Sequence, residues 1–230
     1  MKSLPDTTNR STTTSRPVTG RTRTLVIFLD RLIFQLSKHW LFVFNVFTGI
    51  YAGLPFLAPV FMARGLTSWG QLIYTIYDIS GCHQLPWRSF FFFGARHTYS
   101  YQTLVEIVGA EPFMTLQRAQ KFYGTPALGY KVAHCQRDTA IYAAIFLAGL
   151  FFALFRHRMN PMPWSHFLLA VLPLGVDGIG QLFGLWESTP LSRVVSGGLF
   201  GIALVWLAYP FLEQGMDDVR HTLSKRFGWK

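Results

Sequence analysis

The sequence predicts an all-α integral membrane protein: four transmembrane helices, an amphipathic N-terminal interfacial helix and a partly ordered outer loop. Three observations predict it. Half of the 230 residues are hydrophobic, and 17% are aromatic. Only 14% are charged, against about 25% in an average soluble domain. Apolar runs of roughly 20 residues also recur, the length that crosses a bilayer as helix.

The net charge of +10 does not indicate nucleic acid. The Lys and Arg residues flank the apolar runs instead of forming one patch, as positive-inside topology requires. The expected partner is the lipid bilayer, with no nucleic acid. Two cysteines are too few for a disulfide scaffold, although enough for one bridge or part of a metal site.

Residues 1–20 are rich in Ser, Thr, Pro and Arg, a composition with no apolar area to bury, so a disordered tail is expected. No short apolar core followed by small cleavage-site residues occurs there, so no removable signal peptide is expected. Residues 21–38, RTRTLVIFLDRLIFQLSK, place Leu25, Phe28, Leu32, Ile33 and Leu36 at helical spacing, with Arg31 and Lys38 opposite. This reads as an amphipathic helix on the membrane surface or as a polar extension of the first span.

A single membrane domain is expected over 39–213, with spans at 40–62, 139–155, 164–182 and 194–212. Pro55 and Pro59 lie in the first span and Asp177 in the third. A basic cytoplasmic tail, 214–230, is expected to follow. Four spans put both termini on one side. Arg21, Arg23, Arg31 and Lys38 precede the first span; Arg156 and Arg158 fill the short second connection. Arg220, Lys225, Arg226 and Lys230 follow the fourth. That face is expected to be cytoplasmic. The long loop 63–138 is then outside. Its 66–79 and 112–123 segments have helical spacing, and its run Phe90–Phe93 is expected at the membrane interface, where aromatic rings are favoured.

Three motifs in the same order, CHQLPWRSFFFFG (82–94), GYKVAHCQRDTAIY (129–142) and DGIGQLFGLWESTPLSRVVSGGLFG (177–201), resemble prokaryotic membrane proteins grouped as domain-of-unknown-function family 2085. The resemblance runs from about Tyr77 to Gly201. It implies several transmembrane helices and no agreed activity. Many members carry Cys-x-Arg-Cys where this chain has Cys135-Gln136-Arg137-Asp138. Aspartate replaces cysteine as a metal ligand but not in a disulfide.

Two readings of the cysteines stay open. Cys82, His83, Cys135 and Asp138 offer thiolate, imidazole and carboxylate, a donor set for zinc or iron. The three bets are Cys82, Cys135 and Asp138, with His83, His134 or His97 as the fourth ligand. The other reading, slightly favoured, is a Cys82–Cys135 disulfide in an oxidising compartment, worth about 4 kcal/mol for such a loop in the entropic model.

Asp177 is a carboxylate within a span, costly there and a functional candidate by default. Gln181 lies one turn above it, and Arg137 or Arg193 is within reach as its partner. The plainer role for such a pair is to lock helices together. Arg88 and Glu187 belong to the same motifs. Arg88, Arg137, Asp177, Gln181, Glu187 and Arg193 together are expected to line one outer pocket for a metal or a small anionic or redox-active ligand. Gly197 and Gly201, and Gly180 and Gly184, have the i, i+4 spacing of close helix packing.

Two functional classes follow: a metal or thiol-redox site at the outer face, or an accessory subunit of a larger, energy-transducing membrane complex, with the cysteines as a structural bridge. An enzymatic base and nucleophile do not assemble from these residues, and four spans without internal repeats disfavour a transporter.

Overall fold

The computed structural model describes residues 20–79 and 82–229. The tail expected over 1–20 lies, Gly20 apart, outside the described residues.

Helix α1 runs from Arg21 to Gly53 without interruption. No Gly or Pro occurs between 21 and 48, so nothing stops the helix where the surface segment was expected to give way to the first span. The amphipathic stretch 21–38 is therefore the extension of that span and not a separate helix. Pro55 then opens a 3-10 turn, Leu54–Phe56, because its missing N–H cannot continue the α-helical ladder. A short helix α2, Leu57–Ala63, follows, and Gly65 turns the chain at φ +77°.

The loop region begins with α3, Thr67–Ile79. Strand β1 is Ser89–Phe92, and two short helices follow: α4, Tyr101–Val108, and α5, Leu116–Lys121. Both have side-chain N-caps: Ser100 accepts from Thr103 N–H at 3.1 Å and Thr115 from Arg118 N–H at 3.3 Å. Strands β2, Gly124–Thr125, and β3, Gly129–Cys135, complete an antiparallel sheet in the order β1-β3-β2. This small sheet was not expected from the sequence. The run Phe90–Phe93 does not face outward as a whole either. Phe91 is fully buried among Leu85, Tyr99, Leu104, Phe113 and Leu128, Phe92 packs on Phe56 at 6.0 Å, and Phe93 is the largely exposed one. The loop thus has its own core, in which each large buried side chain contributes about 1.5–3 kcal/mol.

β3 passes directly into α6, Gln136–Phe155; α7 is Trp164–Leu182 and α8 is Pro190–Phe227. Four helical stretches, Thr22–Ala63, α6, α7 and α8, are long and apolar enough to cross a membrane. This is an all-α membrane fold carrying a small three-stranded sheet. α6 and α8 run parallel and close. A Cβ on Gly197 would sit 2.8 Å from the Arg137 carbonyl oxygen, and one on Gly201 2.6 Å from that of Ile141. Those two glycines form a packing face. Gly180 instead accommodates the Trp186 ring, and Gly184 ends α7 at φ +68°.

Trp40 and Leu41 of α1, Phe152 of α6 and Val205 and Tyr209 of α8 make the bundle core. Away from the loop region, Glu213 accepts from Trp40 Nε1–H at 2.8 Å and from Arg220 at 3.2 Å, with Arg156 at 3.9 Å. The segment expected as a basic tail continues α8 to Phe227. It lies along the first half of α1 through Arg220–Ser37 carbonyl (3.0 Å), Arg226–Asp30 (4.0 Å) and Phe34–Trp229. α7 leaves Leu168, Leu169, Leu172 and Leu182 more than half exposed, a surface suited to lipid tails.

Candidate cysteine and arginine site

The site forms where β3 becomes α6. Cys135 has extended backbone and is the N-cap of α6; its Sγ accepts the Asp138 N–H at 3.4 Å. Cys82, on the stretch after α3, comes alongside, and its Sγ accepts the Cys135 N–H at 3.4 Å. Both sulfurs therefore use N–H groups that a helix start leaves without intrahelical partners.

Cys82 Sγ, Cys135 Sγ and a carboxylate oxygen of Asp138 all lie within 4.8 Å of one another. Tetrahedral zinc with bonds of about 2.0–2.3 Å places its donors roughly 3.5 Å apart, so contraction by about an ångström brings these three into range. Both thiols are free. The hydrogen bond to Cys135, then burial, push the Cys82 thiol far above its ordinary range.

Around this cluster is a cavity of about 320 Å³. Of the residues singled out in the sequence, Cys82, His83, Arg88, Cys135, Arg137, Asp138, Gln181 and Arg193 line it. Asp177 stands just behind, 9% exposed, paired with Arg137 and accepting from Ser192 Oγ at 3.4 Å. The pair joins α6, α7 and α8. Arg193, 3% exposed, takes other partners. It donates to Gln136 Oε1 at 3.1 Å and approaches Glu187 at 4.0 Å. With the Gln181 amide oxygen turned inward, that oxygen accepts from Arg193 at 3.2 Å and from Arg88 at 3.1 Å. Glu187 is 60% exposed and outside the cavity wall. Arg88 Nε and Arg137 Nε are buried with no hydrogen-bond acceptor among the described residues.

Two histidines do not join. His134 neighbours Cys135 on a strand, so the two side chains point to opposite faces. It is enclosed by Tyr77 at 4.4 Å, Tyr142 at 5.3 Å and Tyr51 at 5.5 Å, and burial pushes its pKa down to about 4. His97 contacts the Phe91 carbonyl oxygen at 3.3 Å, off the cavity.

Three supporting residues escaped the sequence reading. Gln136 is fully buried and bridges Arg193 to the Ser89 carbonyl oxygen, donating to the latter at 3.2 Å. Gln84 adopts φ +45° and donates to the Tyr74 carbonyl oxygen at 2.8 Å. Lys131 is fully buried, and its Nζ donates to the carbonyl oxygens of Gln84 at 2.6 Å and Gln120 at 2.7 Å. It holds the turn carrying Cys82 and His83 against β3. The only signal was a lysine inside an apolar run, GYKVA.

An uncharacterized protein of Methanocaldococcus jannaschii is 29% identical over 184 residues, covering 76% of this chain and 93% of that protein. No solved structure matches. The family model described as "Predicted membrane protein (DUF2085)" matches residues 126–207. That segment holds Cys135, Arg137, Asp138, Asp177, Gln181, Glu187 and Arg193, whereas the motif with Cys82 and Arg88 precedes it. The match covers β3, α6, α7 and the first half of α8, where two of the three motifs that carry the resemblance lie.

Proposed function

We propose that this protein binds a metal ion, zinc or iron by its donor set, through Cys82, Cys135 and Asp138. The convergence of those three ligand atoms within 4.8 Å carries the reading. His83, on the same cavity wall, is the fourth ligand or leaves an open position of the kind reactive metal sites keep. Arg88, Arg137, Arg193 and Gln181 face the remaining space and suit a small anionic ligand beside the metal, with Asp177 holding Arg137 in place. The site belongs on the outer face of a prokaryotic cytoplasmic membrane. Arg23, Arg31, Lys38, Arg156, Arg158 and Arg220 all cluster at the opposite end of the bundle, which the positive-inside rule assigns to the cytoplasm along with both termini.

One observation favours a second reading: the two thiols are close enough to form a disulfide with little movement. The cluster then serves as a structural bridge, in an accessory subunit of a membrane complex. One experiment separates the two. Protein purified anaerobically is assayed for metal by elemental analysis and for mass before and after reduction. A metal site gives about one ion per chain, lost in Cys82→Ser, Cys135→Ser and Asp138→Ala and kept in Asp138→Cys. A mass lower by two hydrogens, with no metal, would establish the bridge and sink the metal centre.

A further inference from the structure

At the end of the bundle away from the cysteines, α1 and α6 separate to leave an apolar groove of about 640 Å³. Leu41, Val46 and Ile50 of α1 face Phe146 and Leu150 of α6 across it, and Lys38, His39 and Arg156 stand at its mouth. The helices are antiparallel: Gly49 meets Phe146, where an added Cβ would be 2.7 Å from the ring, and Asn45 Nδ2 donates to the Gly149 carbonyl oxygen at 3.1 Å. The close approach at Gly49 shuts the upper end; the basic mouth leaves the lower end open.

We infer that this groove is a binding site for one anionic phospholipid, its phosphate at Lys38, His39 and Arg156 and one acyl chain along the groove. Length supports this. Ile50 lies twelve residues beyond Lys38, about 18 Å of helix at 1.5 Å per residue. A single leaflet of hydrocarbon is about 15 Å deep. The groove therefore spans one leaflet, with charge at the headgroup level and closure near the midplane.

Charge selects the headgroup. Glu213 is 3.9 Å from Arg156 but is shared with Trp40 and Arg220. Arg158 adds further positive charge next door. Basic pockets between helices on the cytoplasmic side recognise anionic headgroups. A partner helix would bury Lys38 and Arg156 against apolar side chains, whereas a lipid leaves them at the interface.

The test uses the full chain in mild detergent, with dioleoyl phosphatidylglycerol, dioleoyl phosphatidylcholine or inorganic phosphate added. Retained lipid is read by native mass spectrometry and thermal stability by tryptophan fluorescence. Phosphatidylglycerol is expected to bind about 10-fold more tightly than phosphatidylcholine. Lys38→Gln should weaken it about 5-fold, the factor that corresponds to one basic residue at a membrane surface. Leu150→Trp, which fills the groove and leaves every charge in place, should abolish the preference. Equal binding of the two lipids overturns the inference. So does a preference that survives both substitutions, or stabilisation by inorganic phosphate alone that matches the lipid.

Discussion

His134 provides the sharpest check on how the loop region packs. Its ring is 1% exposed and sits edge-on to Tyr77 and stacked on Tyr142. Burial lowers its pKa from 6.5 to about 4, and the charge of Asp138 only partly offsets that. The folded state therefore holds this imidazole neutral, while the unfolded chain protonates it below pH 6.5. Between pH 6.5 and 4 the unfolded state binds the extra proton, so stability falls as pH falls through that window and is fully present above it. A displacement from 6.5 to about 4 corresponds to about 3 kcal/mol between the two protonation states. His134→Phe keeps the aromatic contacts and removes the titration. Unfolding free energies in detergent, followed by tryptophan fluorescence from pH 7.5 to 4, should show the wild type losing about 3 kcal/mol more than the variant. Parallel losses in the two proteins would refute the enclosed neutral histidine and the strand register that turns it away from the cysteines.

Lys131 acts in a higher window. Burial lowers its pKa from 10.5 to about 7, so the unfolded chain binds the extra proton between those values and stability should rise from pH 7 to 10.5. Lys131→Met should flatten that rise. It should also cost about 2–4 kcal/mol at pH 8, because two buried carbonyls lose their donor, with faster alkylation of Cys82 as its turn is released. Gly201→Leu pushes a side chain into the Ile141 carbonyl oxygen and Ala144 Cβ. It should destabilise by about 1–3 kcal/mol or more, whereas Gly198→Leu, with open space around it, should be near neutral in thermal melts. Asp177→Asn breaks the pair with Arg137 that joins three helices. A loss of about 3 kcal/mol is expected, and Arg137→Gln in the same chain should add little to it. Additive losses in that double-mutant cycle would show that the two side chains do not interact.

Much of this site was legible locally. Cys135, Arg137 and Asp138 fall within one helical turn, so their convergence needs only the helix start that β3 supplies. Asp177 and Gln181 share a face of α7 for the same reason. Gly197 and Gly201 announced a close helix contact through their spacing. The sheet was not legible: GYKVAHC buries a lysine and a histidine on a strand with nearly every side chain enclosed, so it shows no alternation of polar and apolar residues. The phenylalanine run misled because four aromatic residues in a membrane protein fit an interface as well as a core. Only the pairing of β1 with β3 places Phe91 inside.

The sequence alone determined the membrane fold, because hydrophobic length and flanking charge act through the solvent and require no knowledge of neighbours. Tertiary structure decided the choice of partner. Arg137, not Arg193, reaches Asp177; Cys82 returns across 53 residues to Cys135; residues 21–38 align with the end of α8. Each of these depends on distances between segments remote along the chain, and those distances exist only once the helices and the sheet have packed.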